Sequence, residues 1–491
     1  MHVERELKFA IDTRAAARAT RVIPFASRAR VSRLESVYYD TPDFRLRRAN
    51  AALRLRRDGR RWLQALKVQQ GPAGALAERA EWEMTAPHGK LDCALFPREA
   101  VRTASGLDVV RLARLLRPVF TTRFERTIAP LALPDGVRAI ACLDRGTIEA
   151  GRRRAPILEL ELELQEGAIG PLIEMAETLI QPLGLRIETA SKAERGYRLA
   201  ANAGPLGPAR WSRPRIPDNA AASHALAAIV SAALAQVAAN AAGLLGSRDP
   251  EYLHQLRVGV RRLRSALRAF RPLLRRKRAR AVEEPLKRMM QTFGEARDWD
   301  VFCETLADAG SPSGLLGRAQ RRRAAARAEA RRLAASPEFQ RLQLQVLRWL
   351  HADPCKRDQS LQGFARDALS SLHRATLKRA RKIDWHDAKR RHEVRIRVKR
   401  LRYACDFFAP CFPRQAVWPF SARLTYLQDT LGELNDIAVA RKLLLQLDET
   451  GWRGALNARE RQLIGSLEPA WKAFAAQRPF WRLQPERPAK R

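Results

Sequence analysis

Residues 3–9, Val-Glu-Arg-Glu-Leu-Lys-Phe, place two carboxylates and an ammonium at alternate positions. In an extended strand Glu4, Glu6 and Lys8 share one face, and Val3, Leu7 and Phe9 share the other. A single amphipathic strand of this kind commonly turns its polar face to water. The same alternation recurs, however, with Arg54 and Arg56 between Leu53 and Leu55, with Arg79, Glu81 and Glu83 between Ala80, Trp82 and Met84, and with Glu159, Glu161 and Glu163 between leucines. Strands that close on themselves could point these charges into one lumen of mixed sign. Guanidinium and ammonium groups neutralise phosphate oxygens, and carboxylates hold a hard divalent cation, so the lumen would suit a polyanion together with its metal.

Turn and periodicity signals supply the elements that would carry those residues. A short helix is expected over 13–24, then a strand ending in the Asp-Thr-Pro turn of YYDTPDFRL, and a hairpin about Asp58-Gly59 over 52–68. Further strands are expected at 78–85, at 119–129 and twice within 137–164, with helices at 107–117 and 169–183, and SKAERGYRLA (191–200) closing the unit. This is an α+β pattern, mainly antiparallel. Residues 204–219 hold Pro205, Pro208, Pro214 and Pro217 and read as a linker. From 220 to about 482 the periodicity is helical, and 484–491 is a polar tail.

The chain has 491 residues, 46% of them hydrophobic, which is ample for more than one core. Its net charge of +39 is uneven: residues 1–210 hold 36 Lys and Arg against 25 Asp and Glu, and the remainder hold 55 against 27. Such a surplus attracts polyanions without naming one. Six cysteines without a CxxC pair suggest reduced thiols, a cytosolic setting and no structural zinc. Charge arrives by Glu4, so no signal peptide is expected. The uncharged stretch 219–247 contains Gln236 and Asn240 and is expected to be a buried bundle helix rather than a membrane span.

The helical region repeats itself. At an offset of 138 residues LHQLRVGVRRLRSALRAFRP overlies RHEVRIRVKRLRYACDFFAP, and Leu286, Gly294, Glu295 and Asp298 meet Leu424, Gly432, Glu433 and Asp436. Two similar halves follow, with motifs at about 252–303 and 390–441. Each half presents one stripe, His254, Arg257, Arg261 and Arg264 in the first and His392, Arg395, Lys399 and Arg402 in the second, opposite a core face. A solvated face, or pairing with Asp298 and Asp436, would explain one stripe; two point to a composite anion surface. The copies differ where Gly259 stands against Arg397. Helix-turn-helix, zinc-finger and aromatic RNA-binding signatures are missing, which argues against nucleic acid.

Residues 1–203 resemble the CYTH domain of the triphosphate tunnel metalloenzymes, through Glu4-x-Glu6-x-Lys8, YYDTPDFRL, ALRLRRDG, Lys67, RAEWE, LDRG at 143–146, ELELE and SKAERGYRLA. Residues 220–482 resemble the CHAD domain, and CYTH followed by CHAD is a known bacterial order. The resemblance implies an eight-stranded antiparallel β-tunnel followed by an all-α bundle with an internal two-fold repeat. It implies Mg²⁺ or Mn²⁺ on Glu4, Glu6, Glu159, Glu161 and Glu163, and phosphate on Lys8, Arg54, Arg56, Lys67, Arg79, Arg126 and Lys192. Glu4, Glu6, Lys8 and Lys192 would stand nearest the chemistry. The expected reaction is hydrolysis of inorganic tripolyphosphate to pyrophosphate and phosphate; family members also act on thiamine triphosphate or cyclise ATP. For the second domain the resemblance implies binding of long-chain polyphosphate through the two stripes, and association with polyphosphate granules. The alternative is a non-catalytic scaffold in which both domains only hold the polymer.

Overall fold

The computed structural model describes residues 2–23, 29–71, 74–204, 206–217, 219–449 and 453–482. The expected tail 484–491, Pro24 and Pro205 lie outside the described residues. Eight strands form the tunnel: β1 (His2–Ala10), β2 (Arg30–Asp40), β3 (Ala51–Asp58), β4 (Arg61–Gln69), β5 (Leu76–Thr85), β6 (Arg117–Ala132), β7 (Arg138–Ala150) and β8 (Arg153–Glu166). Their order is β5-β4-β3-β2-β6-β7-β8-β1, and β1 pairs back onto β5, so the antiparallel sheet has no free edge. A two-residue strand, β9 (Arg186–Ile187), adds to the end of β1.

The helices of this region are α1 (Thr13–Val22), α2 (Arg45–Arg48), α3 (Arg98–Ser105), α4 (Val109–Leu115), α5 (Ile169–Leu183) and α6 (Lys192–Ala200). Of these, α5 has the bounds its apolar spacing predicts, whereas α3 escapes the sequence reading. Alternation sorts the strands as expected: Leu7 and Phe9 on β1 and Leu160 and Leu162 on β8 are fully buried on the outer face. Tyr38, Phe120, Phe124 and Tyr197 form one apolar cluster, with Tyr38 stacked on Phe120 at 4.5 Å between centroids and with Tyr38 and Tyr197 lining the lumen.

Nine helices follow among the described residues: α7 (Ala222–Gly246), α8 (Pro250–Ala269), α9 (Arg276–Asp308), α10 (Ser313–Ala335), α11 (Pro337–His351), α12 (Leu361–Arg379), α13 (Ala388–Phe408), α14 (Arg414–Leu445) and α15 (Arg453–Ala475). The repeat is visible in their bounds. Adding 138 to the start of α8 and of α9 gives the starts of α13 and of α14. The uncharged stretch forms α7, the one helix among the described residues long and apolar enough to cross a membrane; 67% of its most apolar window is buried within the protein.

Two compact units divide the chain, and their borders differ from the change in composition. One comprises Met1–Trp211, Leu234–Leu256 and Ala334–Ala352; the other comprises Ser212–Ala233, Arg257–Leu333 and Asp353–Arg491. In the first unit α11 packs on α5, where Arg348 bridges Glu174 at 2.9 Å and Glu177 at 3.0 Å. The start of the proline-rich stretch is pinned there as well, at Leu206 and Ala209. Asn240 both donates to and accepts from the backbone of Ala209, and the Tyr252 hydroxyl donates to the carbonyl of Leu206.

Candidate active site

Cross-strand register, rather than proximity in sequence, assembles the site. Arg126 on β6 faces Asp144 on β7, Asp144 faces Glu159 on β8, and Glu161 faces Lys8 on β1. Further around the tunnel Glu6 faces Glu163, Glu4 faces Arg79, and Lys67 faces Glu81. The lumen is a cavity of about 440 Å³, lined by seven carboxylates and eight cationic side chains. Ten of the expected metal and phosphate residues line it together with Lys192; Glu159 lies just beneath the surface at 1% exposure.

Helix α6 delivers Lys192. Ser191 caps it by accepting from the backbone N–H of Glu194 at 3.0 Å, in the Ser-x-x-Glu pattern of a capping box. The helix can lie this close because residue 196 is glycine: a Cβ there would stand 2.1 Å from the Phe120 ring. The YYDTPDFRL turn packs on the same aromatic cluster through Phe44. Asp40 is fully buried and accepts from the backbone N–H groups of Thr41, Leu46 and Arg47, which brings Arg47 over the Tyr197 ring.

Three carboxylates, Asp144, Glu159 and Glu161, offer oxygens within 4.8 Å of one another. The Lys192 ammonium contacts all three, at 2.6 Å from Asp144 and 2.9 Å from Glu161, with Glu159 closer still. Arg126 adds a two-point contact to Asp144 at 2.7 and 2.6 Å and also reaches Glu161. Burial disfavours the charge of Glu161, but Lys192 and Arg126 overcome it and hold that carboxyl well below the usual range. Glu159 goes the other way, pushed up chiefly by burial despite Lys192. The donor chemistry fits a hard divalent cation: three oxygen ligands, all buried, with a surplus of negative charge once the lysine moves aside.

A second network runs from β1 across β5, β4 and β3. Lys67 bonds Glu4 at 2.6 Å and Glu81 at 3.2 Å, Arg79 bonds Glu6 at 2.5 Å, and Arg54 reaches Glu81 and Glu83. Burial works against the charge of Glu4, yet Lys67 and Arg79 hold its carboxyl below the ordinary value. Glu163 is pushed up to about 7 by burial and by Glu4.

Of the seven expected phosphate ligands, five are thus already ion-paired. Among the described residues, neither Lys8 nor Arg56 has a carboxylate within the 4.0 Å of an ion pair. Lys8 is 3% exposed, and Arg56 donates only to the Ser36 hydroxyl at 3.3 Å. Burial together with Arg54 and Arg126 pushes Arg56 down to about 10. Two desolvated cations without acid partners call for an anion.

Sequence reasoning placed Glu81 and Glu83 on a lumen face without giving them a role, and it missed Asp144 and Arg195, whose guanidinium bonds Glu159 at 2.9 Å. Asp144 had a signal in LDRG, where Gly146 is equally constrained: a Cβ there would meet the backbone of Arg123 and Phe124 at 2.1 and 2.4 Å.

In the second unit Arg257, Arg261, Arg395 and Lys399 converge. Burial, then Arg395 and Arg261, push Lys399 down to about 7. Arg257 donates to the carbonyl of Gly294 at 2.6 Å and lies 3.5 Å from Asp298, so pairing to that acid is real for this one member. Arg264 instead shares its surroundings with Arg268 and Glu283, while Arg402 bonds Thr425 and His392 meets Asn435. His254 lies on the same helix as Arg257 but in the segment belonging to the tunnel unit.

Comparison with known families agrees with this geometry. Residues 2–197 match the CYTH domain and residues 228–445 match the CHAD domain. The chain is a CYTH domain followed by a CHAD domain. The inorganic triphosphatase of Haemophilus influenzae is 30% identical over 173 residues, which is 34% of this chain and 46% of that protein, so the chain spans about half the length of this curated relative. Among solved structures, the CHAD domain from the plant Ricinus communis is 30% identical and covers 55% of this chain and 98% of its own, with a TM-score of 0.47. PptA from Streptomyces chartreusis, 18% identical, covers 52% of this chain and 98% of its own with a TM-score of 0.40.

Proposed function

We propose that the CYTH tunnel hydrolyses a linear triphosphate, inorganic tripolyphosphate first, to pyrophosphate and phosphate, with Mg²⁺ or Mn²⁺ as its metal. The observation that carries this reading is the pair of buried, acid-free cations, Lys8 and Arg56, in a lumen where Arg54, Lys67, Arg79, Arg126 and Lys192 are already paired. An entering phosphate chain would satisfy Lys8 and Arg56 directly and compete with carboxylates for Arg54, Lys67, Arg79 and Arg126. Asp144, Glu159 and Glu161, with Glu163 further along β8 and Glu4 and Glu6 on the neighbouring β1, are the groups that would hold metal. When bound, the metal supplies charge neutralisation at the phosphoryl oxygens and the leaving group. Glu163, balanced at about 7, can accept a proton from an attacking water at neutral pH. Among the described residues the lining has no histidine or cysteine, in keeping with direct transfer to water. The relative named inorganic triphosphatase supports the choice of substrate.

The CHAD domain, on this reading, binds long-chain polyphosphate through Arg257, Arg261, Arg395 and Lys399, whose mutual repulsion a polyanion would relieve. Its attachment to polyphosphate granules in the cytoplasm belongs to the same proposal. Phosphate release from tripolyphosphate, ATP and thiamine triphosphate, each with Mg²⁺, Mn²⁺ or chelator, tests reaction and substrate together. Release that survives the chelator would remove the metal from the reading.

A further inference from the structure

Of the eight cationic side chains that line the lumen, one has a place in neither ion-pair network. Besides Lys8 and Arg56, Arg47 is the third without a carboxylate within ion-pair distance among the described residues. It comes from α2, the short helix that follows the Asp-Thr-Pro turn. The other arginines of that helix are already paired, Arg45 at 3.1 Å and Arg48 at 2.6 Å from the Asp43 carboxylate. Arg47 alone of the three lines the lumen, where it is half-buried.

Two contacts fix its position. The buried Asp40 carboxylate accepts from the backbone N–H of Arg47 at 3.0 Å, and the guanidinium lies over the Tyr197 ring, 5.8 Å from its centre. The cation therefore needs little further ordering to meet a ligand. Lys8 is close by, since both cations act on the carboxylate of Glu194, which also lines the lumen. One carboxylate against two cations leaves a positive charge unmet. Asn50, three residues after Arg47, is exposed and lines the lumen too, so the lumen meets solvent beside it. A solvated arginine would need neither the buried Asp40 nor the ring to hold it. The surroundings also say what kind of anion fits. The Tyr197 ring is engaged by Arg47 and packs edge-on against Phe44 and Phe120, and the lining that follows Arg47 is Asn50, Ala51 and Ala52. An organic ring would want a stacking surface, whereas a phosphate wants a guanidinium and amide donors.

We propose that Arg47 holds a phosphate beyond the third, so that the tunnel takes linear inorganic polyphosphates of four or more phosphates besides tripolyphosphate. This deepens the triphosphate reading above and rests on it. The bond broken is of the same kind. The oxygen of water joins phosphorus, the bridging P–O bond breaks, the shortened chain leaves with that electron pair, and the proton of the water passes to Glu163.

Initial rates on tripolyphosphate, tetrapolyphosphate and ATP, each with metal, test this for the full chain and for its Arg47→Gln and Arg47→Lys variants. Loss of one hydrogen bond between charged groups at a half-buried place is expected to lower the ratio of kcat/KM for tetrapolyphosphate over tripolyphosphate by about tenfold in Arg47→Gln, mainly through KM. Arg47→Lys should restore part of that ratio. ATP, which carries a sugar where a fourth phosphate would stand, should follow tripolyphosphate. If Arg47 only supports α6 through Tyr197, Arg47→Gln lowers the melting temperature and slows all three substrates alike; that result would overturn the proposal, and so would an unchanged ratio. Titration calorimetry in chelator, with tripolyphosphate and tetrapolyphosphate on wild type and Arg47→Gln, reads chain length without turnover. Should the wild type hydrolyse neither, a preference for tetrapolyphosphate that Arg47→Gln removes would uphold the site while the hydrolytic reading falls. A titration indifferent to Arg47→Gln would then overturn both.

Discussion

Two lysines in one lumen are expected to respond to the same substitution in different ways. Lys192 stands among Asp144, Glu159 and Glu161 and is 9% exposed, whereas Lys8 is buried more deeply but has no carboxylate within ion-pair distance. Lys192→Met removes the one cation that contacts all three buried carboxylates, leaving Arg126 and Arg195 to balance them. Breaking a buried ion pair from one side costs about 3–5 kcal/mol. For a unit of this size each kcal/mol moves the melting temperature by about 2–4 °C, so a drop on the order of 10 °C is expected without divalent metal. Mg²⁺ or Mn²⁺ should recover part of it by taking the vacated place among the carboxylates. Lys8→Met removes a cation that acts on Glu159 and Glu161 only after their closer partners, and its melting temperature should move by less than half as much. Both variants should lose tripolyphosphate turnover. Calorimetric melts of the wild type and the two variants, with chelator and with metal, decide the matter. Equal drops for the two variants, or a Lys192→Met melt that ignores metal, would refute the assignment of Lys192 as the counter-ion of the acidic cluster.

Other consequences follow from single contacts. Gly196→Ala forces a methyl into the Phe120 ring, which is itself stacked on Tyr38; a stability loss of about 1–3 kcal/mol is expected, with turnover reduced further because α6 carries Lys192. Glu6→Gln leaves Arg79 with Glu4 alone and removes a lumen carboxylate but no apolar packing, so turnover should vanish while a cooperative melt persists. Because the folded chain holds Lys399 near 7 and the unfolded chain near its ordinary value, the unfolded state binds more protons between about 7 and 10.5; this group makes stability rise with pH across that window. Polyphosphate restores the ammonium, so affinity should instead fall as pH rises above 7, and Lys399→Arg should flatten that fall, as titrations at a series of pH values would show. Replacing Arg261 and Arg395 by Gln should weaken long-chain polyphosphate more than tripolyphosphate and lessen its salt dependence, by analogy with counterion release from nucleic acid; unchanged affinity in both would remove the cluster from binding.

Much of the tunnel was legible because a strand has period two and its lumen face is charged. Glu4, Glu6 and Lys8, the Arg54-Arg56 pair and the ELELE run all project inward as alternation requires. The repeat in the helical region was equally legible, since an ungapped offset of 138 residues survives in the helix starts. Asp144 was harder to find, because it stands alone on β7 and becomes a ligand candidate only through its register with Arg126 and Glu159. Periodicity also says nothing about which parts of a bundle pack with a neighbouring sheet. Residues 234–256 and 334–352 carry the composition of the helical region, yet they belong to the compact unit of the tunnel. Nor does a basic stripe on a helical projection reveal that Arg402 leaves it for Thr425 and that Arg264 lies beside Arg268 and Glu283 instead, because a long side chain reaches past its own face.

Metal-dependent cleavage inside the tunnel is tested most directly by following tripolyphosphate with phosphorus NMR, comparing wild type with Glu6→Gln, each with Mg²⁺ and with chelator. Pyrophosphate and phosphate appearing in equal amounts only in the wild type with metal is the expected result. Equal turnover by Glu6→Gln, or product formed in chelator, would contradict it.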